Sequence, residues 1–180
     1  MEDAKNWQGS VVIACSDEID IEWAQSLISY ADVIPQLPIY QQGNLGERLN
    51  YVDTKLRAKG HQQLIFIGTD APILNSQHFE SALIALHAND IVLSHADDGG
   101  VIIMANKTPW PELKTLPWST DELSVTLSQL CKQHRLSVKY SLPGYDVDYV
   151  ADLQKLLLDL KTDKRPARQA LLNKIKALVY

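Results

Sequence analysis

An aspartate stands just after one of the most apolar short stretches of this 180-residue chain. The stretch "LIFIG" ends at Gly68, and Asp70 follows before Pro72 closes the turn. If the stretch is a buried strand, Asp70 lies at its carboxyl end, where open parallel sheets bind their ligands. A carboxylate there can hold a divalent metal ion against phosphate oxygens. A capping or turn aspartate explains the same residues, so both interpretations stay open.

Two more carboxylates, Asp146 and Asp148, precede a predicted helix in "DVDYVADL". We assign these two side chains to opposite faces of an extended segment. We therefore expect at most one of them to lie near Asp70. Aspartates at the start of a helix also act as caps and interact favourably with its dipole. Metal binding and capping are therefore both open for this pair.

Two glycine-containing turns complete the set of candidate residues. Asp97, Asp98, Gly99 and Gly100 join two apolar runs, and these residue types by themselves predict a hairpin turn. The second turn is "QQGNLGERLN", which places Gly43, Gly46, Glu47 and Arg48 where a loop enters a helix. A helix amino terminus preceded by glycines can bind an anion. The spacing matches neither the phosphate-binding loop of nucleotide triphosphatases nor the dinucleotide fingerprint, and Glu47 and Arg48 also fit a solvated first turn.

The hydrophobic pattern supplies the elements that must position these residues. Short runs rich in β-branched residues predict strands, and apolar residues at steps of three and four predict helices. The first predicted helix has Trp23 on its apolar face, and Ser119 with Glu122 predicts a capping box for a later one. Strands are predicted over 10–15, 63–68, 90–96, 100–106 and 136–142, and helices over 20–31, 45–60, 75–90, 118–134, 148–160 and 166–180. This alternation predicts an α/β fold with a mostly parallel sheet between two helical layers.

Bulk properties exclude several classes of protein. A net charge of -5 argues against an electrostatic nucleic-acid binder. No apolar run approaches the roughly 20 residues needed to cross a bilayer, and the polar, acidic start "MEDAKNWQGS" is no secretory signal. We therefore expect a cytoplasmic protein with no membrane partner, whose two cysteines, Cys15 and Cys131, are reduced and buried.

Four fragments together resemble one bacterial family. They are "QQGNLGERLN", "FIGTDAPIL", "ADDGGVIIM" with "LPWSTDEL", and "DVDYVADL", in that order along the chain. In this combination the chain resembles the DUF2064 family, glycosyltransferase-A-like proteins also called radical-SAM/selenodomain-associated transferase 1. The resemblance runs from about Trp7 to the end.

The resemblance implies a three-layer α/β/α sandwich with a Rossmann-like sheet, of the nucleotide-diphospho-sugar transferase type. It also implies that Asp70 binds Mg²⁺ or Mn²⁺ on the nucleotide diphosphate, with Asp148, or Asp146, as a second metal or sugar contact. The turn "DDGG" would line the sugar or acceptor side through Asp98 and the backbone of Gly99 and Gly100. The segment "GNLGERL" would shape the floor of the site through Gly43, Gly46 and Arg48.

One part of the family pattern is missing from this sequence. Similar proteins begin with a strand and a basic, glycine-containing loop that cradles the nucleotide phosphates, whereas this chain begins at what resembles the second strand. We therefore expect a single domain over residues 1–180 that is truncated at its amino terminus relative to the family. The sheet would lack a central strand, and the exposed edge would invite a second copy, which makes a homodimer a natural hypothesis.

Two classes of function follow from these expectations. The first is a metal-dependent transferase for a nucleotide-diphospho-sugar and an unknown acceptor, with Asp98 as the candidate general base. A nucleotidyltransferase is a variant of this class. The second is a non-catalytic remnant of the same fold that acts as a binding or scaffold protein. The catalytic hypothesis requires Asp70 to lie near Asp146 and Asp148.

Overall fold

The computed structural model describes residues 2–38 and 41–179 of the chain. Six strands and six α-helices lie along these residues, alternating except that β5 follows β4 and α6 follows α5, with short 3-10 turns at Asp3–Asn6 and Glu18–Asp20. The strands are β1 (Val12–Cys15), β2 (Asp32–Pro35), β3 (Leu64–Ile67), β4 (Ile91–His95), β5 (Val101–Asn106) and β6 (Val138–Tyr140). The helices are α1 (Ile21–Leu27), α2 (Leu45–Ala58), α3 (Ser76–Ala88), α4 (Leu123–Gln133), α5 (Val150–Asp159) and α6 (Pro166–Val179).

The strands form two separate sheets. The larger has the order β3-β5-β4-β6, and the smaller is the parallel pair of β1 and β2. In the larger sheet β5 is antiparallel to both β3 and β4, while β6 is parallel to β4. Three of its four strands therefore run in one direction, and β3, β4 and β6 all end at the same edge.

The larger sheet is covered on both faces because neighbouring residues of a strand project to opposite sides. Val92 of β4 packs in one cluster with Leu86 of α3. Leu93, the next residue, packs in another cluster with Leu127 of α4. All four side chains are fully buried, and burying each contributes about 1.5–3 kcal/mol. The predicted α/β architecture, with helices on both sides of the sheet, is confirmed.

Two local predictions at the amino-terminal end were wrong. Strand β2 was not predicted, because its four residues "DVIP" are too few to show alternation and end in proline. It lies parallel to β1 and completes the smaller sheet. Helix α1 is only seven residues long, and Trp23 projects outward with 63% of its surface exposed. An apolar stripe over so short a helix does not define its buried face.

The ends of α2, α3 and α4 are formed in different ways, and the one predicted for α4 was wrong. The capping box of Ser119 and Glu122 does not form, because α4 begins only at Leu123 and Glu122 makes no side-chain cap. Asn75 caps α3, since its side chain accepts hydrogen bonds from the first-turn backbone. Gly60 ends α2 with φ +96, a conformation that glycine adopts without strain.

Among the described residues, β1 pairs with β2 alone and β3 pairs with β5 alone. Helix α2 bridges the two sheets, because Val52 and Leu56 pack in one cluster with Ile34 of β2 and Leu64 of β3. The expected lack of a central strand and the truncated single domain both stay predictions. Cys15 and Cys131 are free, buried thiols, as expected. No helix in the described ranges is long and apolar enough to cross a membrane.

Candidate metal centre

Asp70 lies in the loop that follows β3, and its side chain folds back over Gly68. A Cβ atom added to Gly68 would stand 2.3 Å from Asp70 Oδ1, well inside van der Waals contact. Any other residue at position 68 therefore forces the carboxylate to move. Glycine at position 68 leaves room for the Asp70 carboxylate to lie close to the backbone. The reason is this space and not the backbone φ angle.

A backbone hydrogen bond connects this loop to the segment after β6. The Val147 N–H donates to the Asp70 carbonyl oxygen at 2.9 Å. Since Asp146 and Asp148 flank Val147, this bond brings both of their side chains toward Asp70. One oxygen from each of the three carboxylates lies within 4.8 Å of the others. We call Asp70, Asp146 and Asp148 the acidic cluster.

The prediction that at most one of Asp146 and Asp148 meets Asp70 was therefore wrong. In an extended segment it is adjacent residues that alternate, so residues two apart project to the same side. The requirement that Asp70 lie near the pair is confirmed. Both Asp70 and Asp148 are exposed, whereas Asp146 is half-buried between them.

The pKa of Asp146 reflects both its burial and its negatively charged neighbours. Burial raises the pKa of its carboxyl above the ordinary value of 3.8, and the negative charges of Asp98, Asp148 and Asp70 raise that pKa further. Carboxylate oxygens are the ligands that Mg²⁺ and Mn²⁺ prefer. The donor set and the uncompensated negative charge both fit a divalent cation, which would relieve the repulsion.

Asp98 and the two glycines after it form the turn between β4 and β5, as the hairpin interpretation predicted. The Asp98 carboxylate is exposed and accepts a hydrogen bond from the Gly100 N–H at 2.9 Å. Its charge raises the pKa of Asp146, so the turn stands beside the acidic cluster. A role for Asp98 as a general base stays a prediction.

Gly99 of this turn packs against the chain entering α4. It has φ +92, and an added Cβ would lie 2.0 Å from the Asp121 carbonyl oxygen. Its own carbonyl accepts a hydrogen bond from the Ser124 N–H at 3.0 Å. Packing by itself accounts for a glycine here. Substrate contacts by Gly99 and Gly100 stay predictions.

The three candidates around the start of α2 make contacts of a different kind. Arg48 donates from Nε to the Gly43 carbonyl and from Nη1 to Gln36 Oε1, each at 3.1 Å. Gly46 is buried, and an added Cβ would lie 2.2 Å from the Leu113 carbonyl oxygen. None of these contacts involves the acidic cluster. Substrate binding by Gly43, Gly46 and Arg48 stays a prediction.

Sequence reasoning did not single out Lys155 and Tyr145, which pack against each other. Lys155 of α5 forms an ion pair with Asp97, and its Nζ lies 3.9 Å from the centre of the Tyr145 ring. Asp97 precedes Asp98 and Tyr145 precedes Asp146 in the chain. Nothing in the sequence marks Lys155, because a lysine on the polar side of a helix is the ordinary case.

With this geometry established, comparison with known proteins identifies the family. The model of a family described as uncharacterized proteins conserved in bacteria, DUF2064, matches residues 2–120. The chain belongs to the DUF2064 family. A comparison with curated proteins found no match.

A solved structure from Desulfovibrio desulfuricans G20 is similar to this DUF2064 protein. It is described as that of a "putative nucleotide-diphospho-sugar transferase", and the two chains share 21% identity with a TM-score of 0.81. The similarity covers 98% of this chain and 78% of the other. At this identity the comparison shows that this chain shares the fold of that protein, as predicted.

Proposed function

We propose that this DUF2064 protein is a metal-dependent transferase acting on a nucleotide-diphospho-sugar. The observation that carries the proposal is the meeting of Asp70, Asp146 and Asp148 beyond the ends of β3 and β6. Carboxyl ends of sheet strands are where α/β folds bind ligands. The fold shared with the Desulfovibrio protein supports the same substrate class.

The roles of the residues follow from their positions. Asp70 and Asp148, which are exposed, would hold Mg²⁺ or Mn²⁺ together with the half-buried Asp146. The ion would supply positive charge that stabilises the diphosphate leaving group. Asp98, beside this cluster, would accept the proton of an acceptor hydroxyl. A nucleotidyltransferase would use the same cluster, and the products of turnover would distinguish the two.

The first test is metal binding. Calorimetric titration of the purified protein with Mn²⁺ should give one site, and Asp70→Asn should weaken it by at least about tenfold. Asp32→Asn is the matched control, because it makes the same chemical change at an exposed carboxylate that is paired with Lys59. The control variant should bind Mn²⁺ as tightly as the wild type.

The second test adds candidate substrates. Unfolding temperature should rise with a nucleotide-diphospho-sugar plus Mn²⁺, and Asp70→Asn should abolish the rise, because a ligand that binds only the folded state stabilises it. UDP- and GDP-sugars are the probes. If Mn²⁺ binds equally well to wild type and Asp70→Asn, or if no nucleotide shifts the transition, the catalytic proposal is wrong. The alternative, a binding or scaffold protein built on this fold, then stands.

We further propose that a second copy pairs along the edge of β3 that has no partner strand among the described residues. This strand, "LIFI", carries no charge, proline or bulge, the features that normally protect an edge. Light scattering should give the mass of a dimer, and Ile67→Lys should give that of a monomer. Ile67 is half-exposed, so the variant is expected to fold. Ile84→Lys on α3, equally apolar and more exposed, is the control. A wild-type monomer would contradict the proposal.

A further inference from the structure

Asp152, in the first turn of α5, holds the backbone of one residue of the acidic cluster without belonging to the cluster. Its carboxylate oxygen Oδ2 accepts two backbone hydrogen bonds, from the Asp148 N–H at 3.1 Å and from the Tyr149 N–H at 2.8 Å. The Asp152 N–H in turn donates to the Tyr149 carbonyl oxygen at 3.0 Å. The half-buried Asp152 side chain therefore fixes the backbone at the point where it enters α5.

The bond to Asp148 goes beyond what helix capping requires. In a capping box, the carboxylate three residues into the helix accepts from the backbone N–H of the cap residue. Glu47 does this at the start of α2, where its Oε2 accepts from the Asn44 N–H at 3.0 Å. Asp152 makes the equivalent bond to Tyr149, the cap residue of α5, and adds a second bond to the residue before the cap. The second bond acts on the position of Asp148.

Asp148 depends on this backbone for its position. The Val147 N–H donates to the Asp70 carbonyl oxygen at 2.9 Å, which connects the segment to the loop after β3. Asp152 accepts the next two N–H groups along the chain and so continues this support into α5. The Asp148 side chain is exposed, so packing does little to orient it. Ligand groups that are held in place before a metal arrives lose less freedom when it binds.

We propose that Asp152 is a positioning residue that holds Asp148 in place for metal binding at the acidic cluster. This inference rests on the proposed function, because it takes Asp148 to be a ligand of Mg²⁺ or Mn²⁺. Asp152 does not touch the ion in this scheme and acts through the two backbone N–H groups. Positioning requires a hydrogen-bond acceptor at residue 152, whereas a purely electrostatic role would require its negative charge.

Two variants of the full chain, titrated with Mn²⁺ in a calorimeter, distinguish these roles. Asp152→Ala removes the acceptor and should weaken Mn²⁺ binding about tenfold. Asp152→Asn removes the charge but keeps an acceptor oxygen, and should bind Mn²⁺ within about twofold of the wild type. Equal losses of affinity in the two variants would mean that the charge of Asp152 is what matters, which overturns the positioning role.

Glu47→Ala is the matched control, because it removes the corresponding carboxylate from the capping box of α2. It should lower the unfolding temperature, as Asp152→Ala also should, but leave Mn²⁺ affinity unchanged. Both variants should keep the circular dichroism spectrum of the wild type. A comparable loss of Mn²⁺ affinity in Glu47→Ala would assign the effect to general loosening of the protein and overturn the inference.

A double variant tests whether Asp152 acts through Asp148. Asp148→Ala should itself weaken Mn²⁺ binding, and adding Asp152→Ala to it should weaken the binding no further. If the two losses add, Asp152 acts by another route and the inference is wrong. Amide hydrogen exchange in the metal-free protein gives a second readout, since Asp152→Ala should speed exchange at Asp148 and Tyr149. Unchanged exchange at both residues would also contradict the inference.

The outcomes separate this inference from the proposed function. If Mn²⁺ binding depends on Asp70 but Asp152→Ala binds Mn²⁺ normally, the inference is overturned and the proposed function stands. If Mn²⁺ binding does not depend on Asp70, the proposed function fails and the inference fails with it.

Discussion

Two carboxylates, Glu47 and Asp146, stand near the starts of two helices and behave in opposite ways. At the start of α2, Glu47 has its pKa lowered, because Lys114 and the Asn44 N–H both donate to it. Before α5, Asp146 has its pKa raised by burial and by the charges of nearby aspartates, Asp98 among them. Sequence reasoning treated both regions alike, as loop-to-helix junctions with charged residues that could bind substrate.

The difference teaches how to tell structural polar residues from functional ones in this protein. Around α2 the polar groups satisfy one another: Asn44 and Glu47 form a capping box, and Arg48 bonds Gly43 and Gln36. The carboxylates of the acidic cluster do not satisfy one another in this way, because their like charges repel. Groups that are costly without a partner are candidates for ligand binding. The following predictions test this contrast through stability, from the largest expected effect to the smallest.

Gly46→Ala should cause the largest loss of stability. The new methyl group would lie 2.2 Å from the Leu113 carbonyl oxygen and 2.8 Å from Trp118 Nε1. Overpacking of this kind costs about 1–3 kcal/mol, more than the helix propensity gained from alanine. Urea unfolding measures the difference.

Gly43→Ala is the matched control for this variant. Its methyl group would have side-chain atoms as nearest neighbours, Glu47 Oε2 and Leu37 Cδ1 at 3.1 Å and Glu47 Cβ at 3.2 Å, and should cost less than about 1 kcal/mol. Equal losses for the two variants would show that the start of α2 is not packed as described.

Arg48→Met should have an intermediate effect. It removes the half-buried hydrogen bonds to Gly43 and Gln36, each worth about 0.5–1.5 kcal/mol. Thermal unfolding should show a drop of a few degrees, whereas Lys59→Met, which removes a surface ion pair, should show almost none. If Arg48→Met instead keeps full stability and loses nucleotide binding, Arg48 belongs to the site and the contrast between the regions fails.

Asp146→Asn should have the smallest effect and the opposite sign. Because the folded-state pKa of this carboxyl is raised, the folded protein holds its proton more tightly than the unfolded chain does. The group therefore costs stability as pH rises above its ordinary value of 3.8. At neutral pH the variant should melt roughly 1–2 °C higher than the wild type.

The pH dependence provides the control for this variant. The difference between variant and wild type should shrink as pH falls below the ordinary range of the carboxyl, since both side chains are then neutral. Saturating Mn²⁺ should reverse the order at neutral pH, because only the wild type keeps all three ligands. A variant that melts lower than the wild type without metal would contradict the repulsion described for the cluster.

The order of the elements other than β2, and the placement of Asp70 after a strand, could be predicted from local pattern. The run "LIFI" is apolar enough to predict a strand by itself. The position of Asp70 just after this strand follows directly from the sequence. Strand β2 could not be predicted, because it is short and ends in proline. Its pairing with β1 comes from contacts distant in sequence.

The sequence by itself determined most of the strands and helices, β2 excepted, because each of the others carries its own hydrophobic period and end signals. It also placed carboxylates at the right strand ends. Only the tertiary structure decided that Asp70, Asp146 and Asp148 meet, since their contact depends on β3 and β6 ending at one edge of a shared sheet. The same is true of Gly46, whose neighbour Leu113 reaches it across the fold. Contacts between segments far apart in the chain do not alter the local hydrophobic periodicity. They therefore cannot be predicted from the pattern of neighbouring residues.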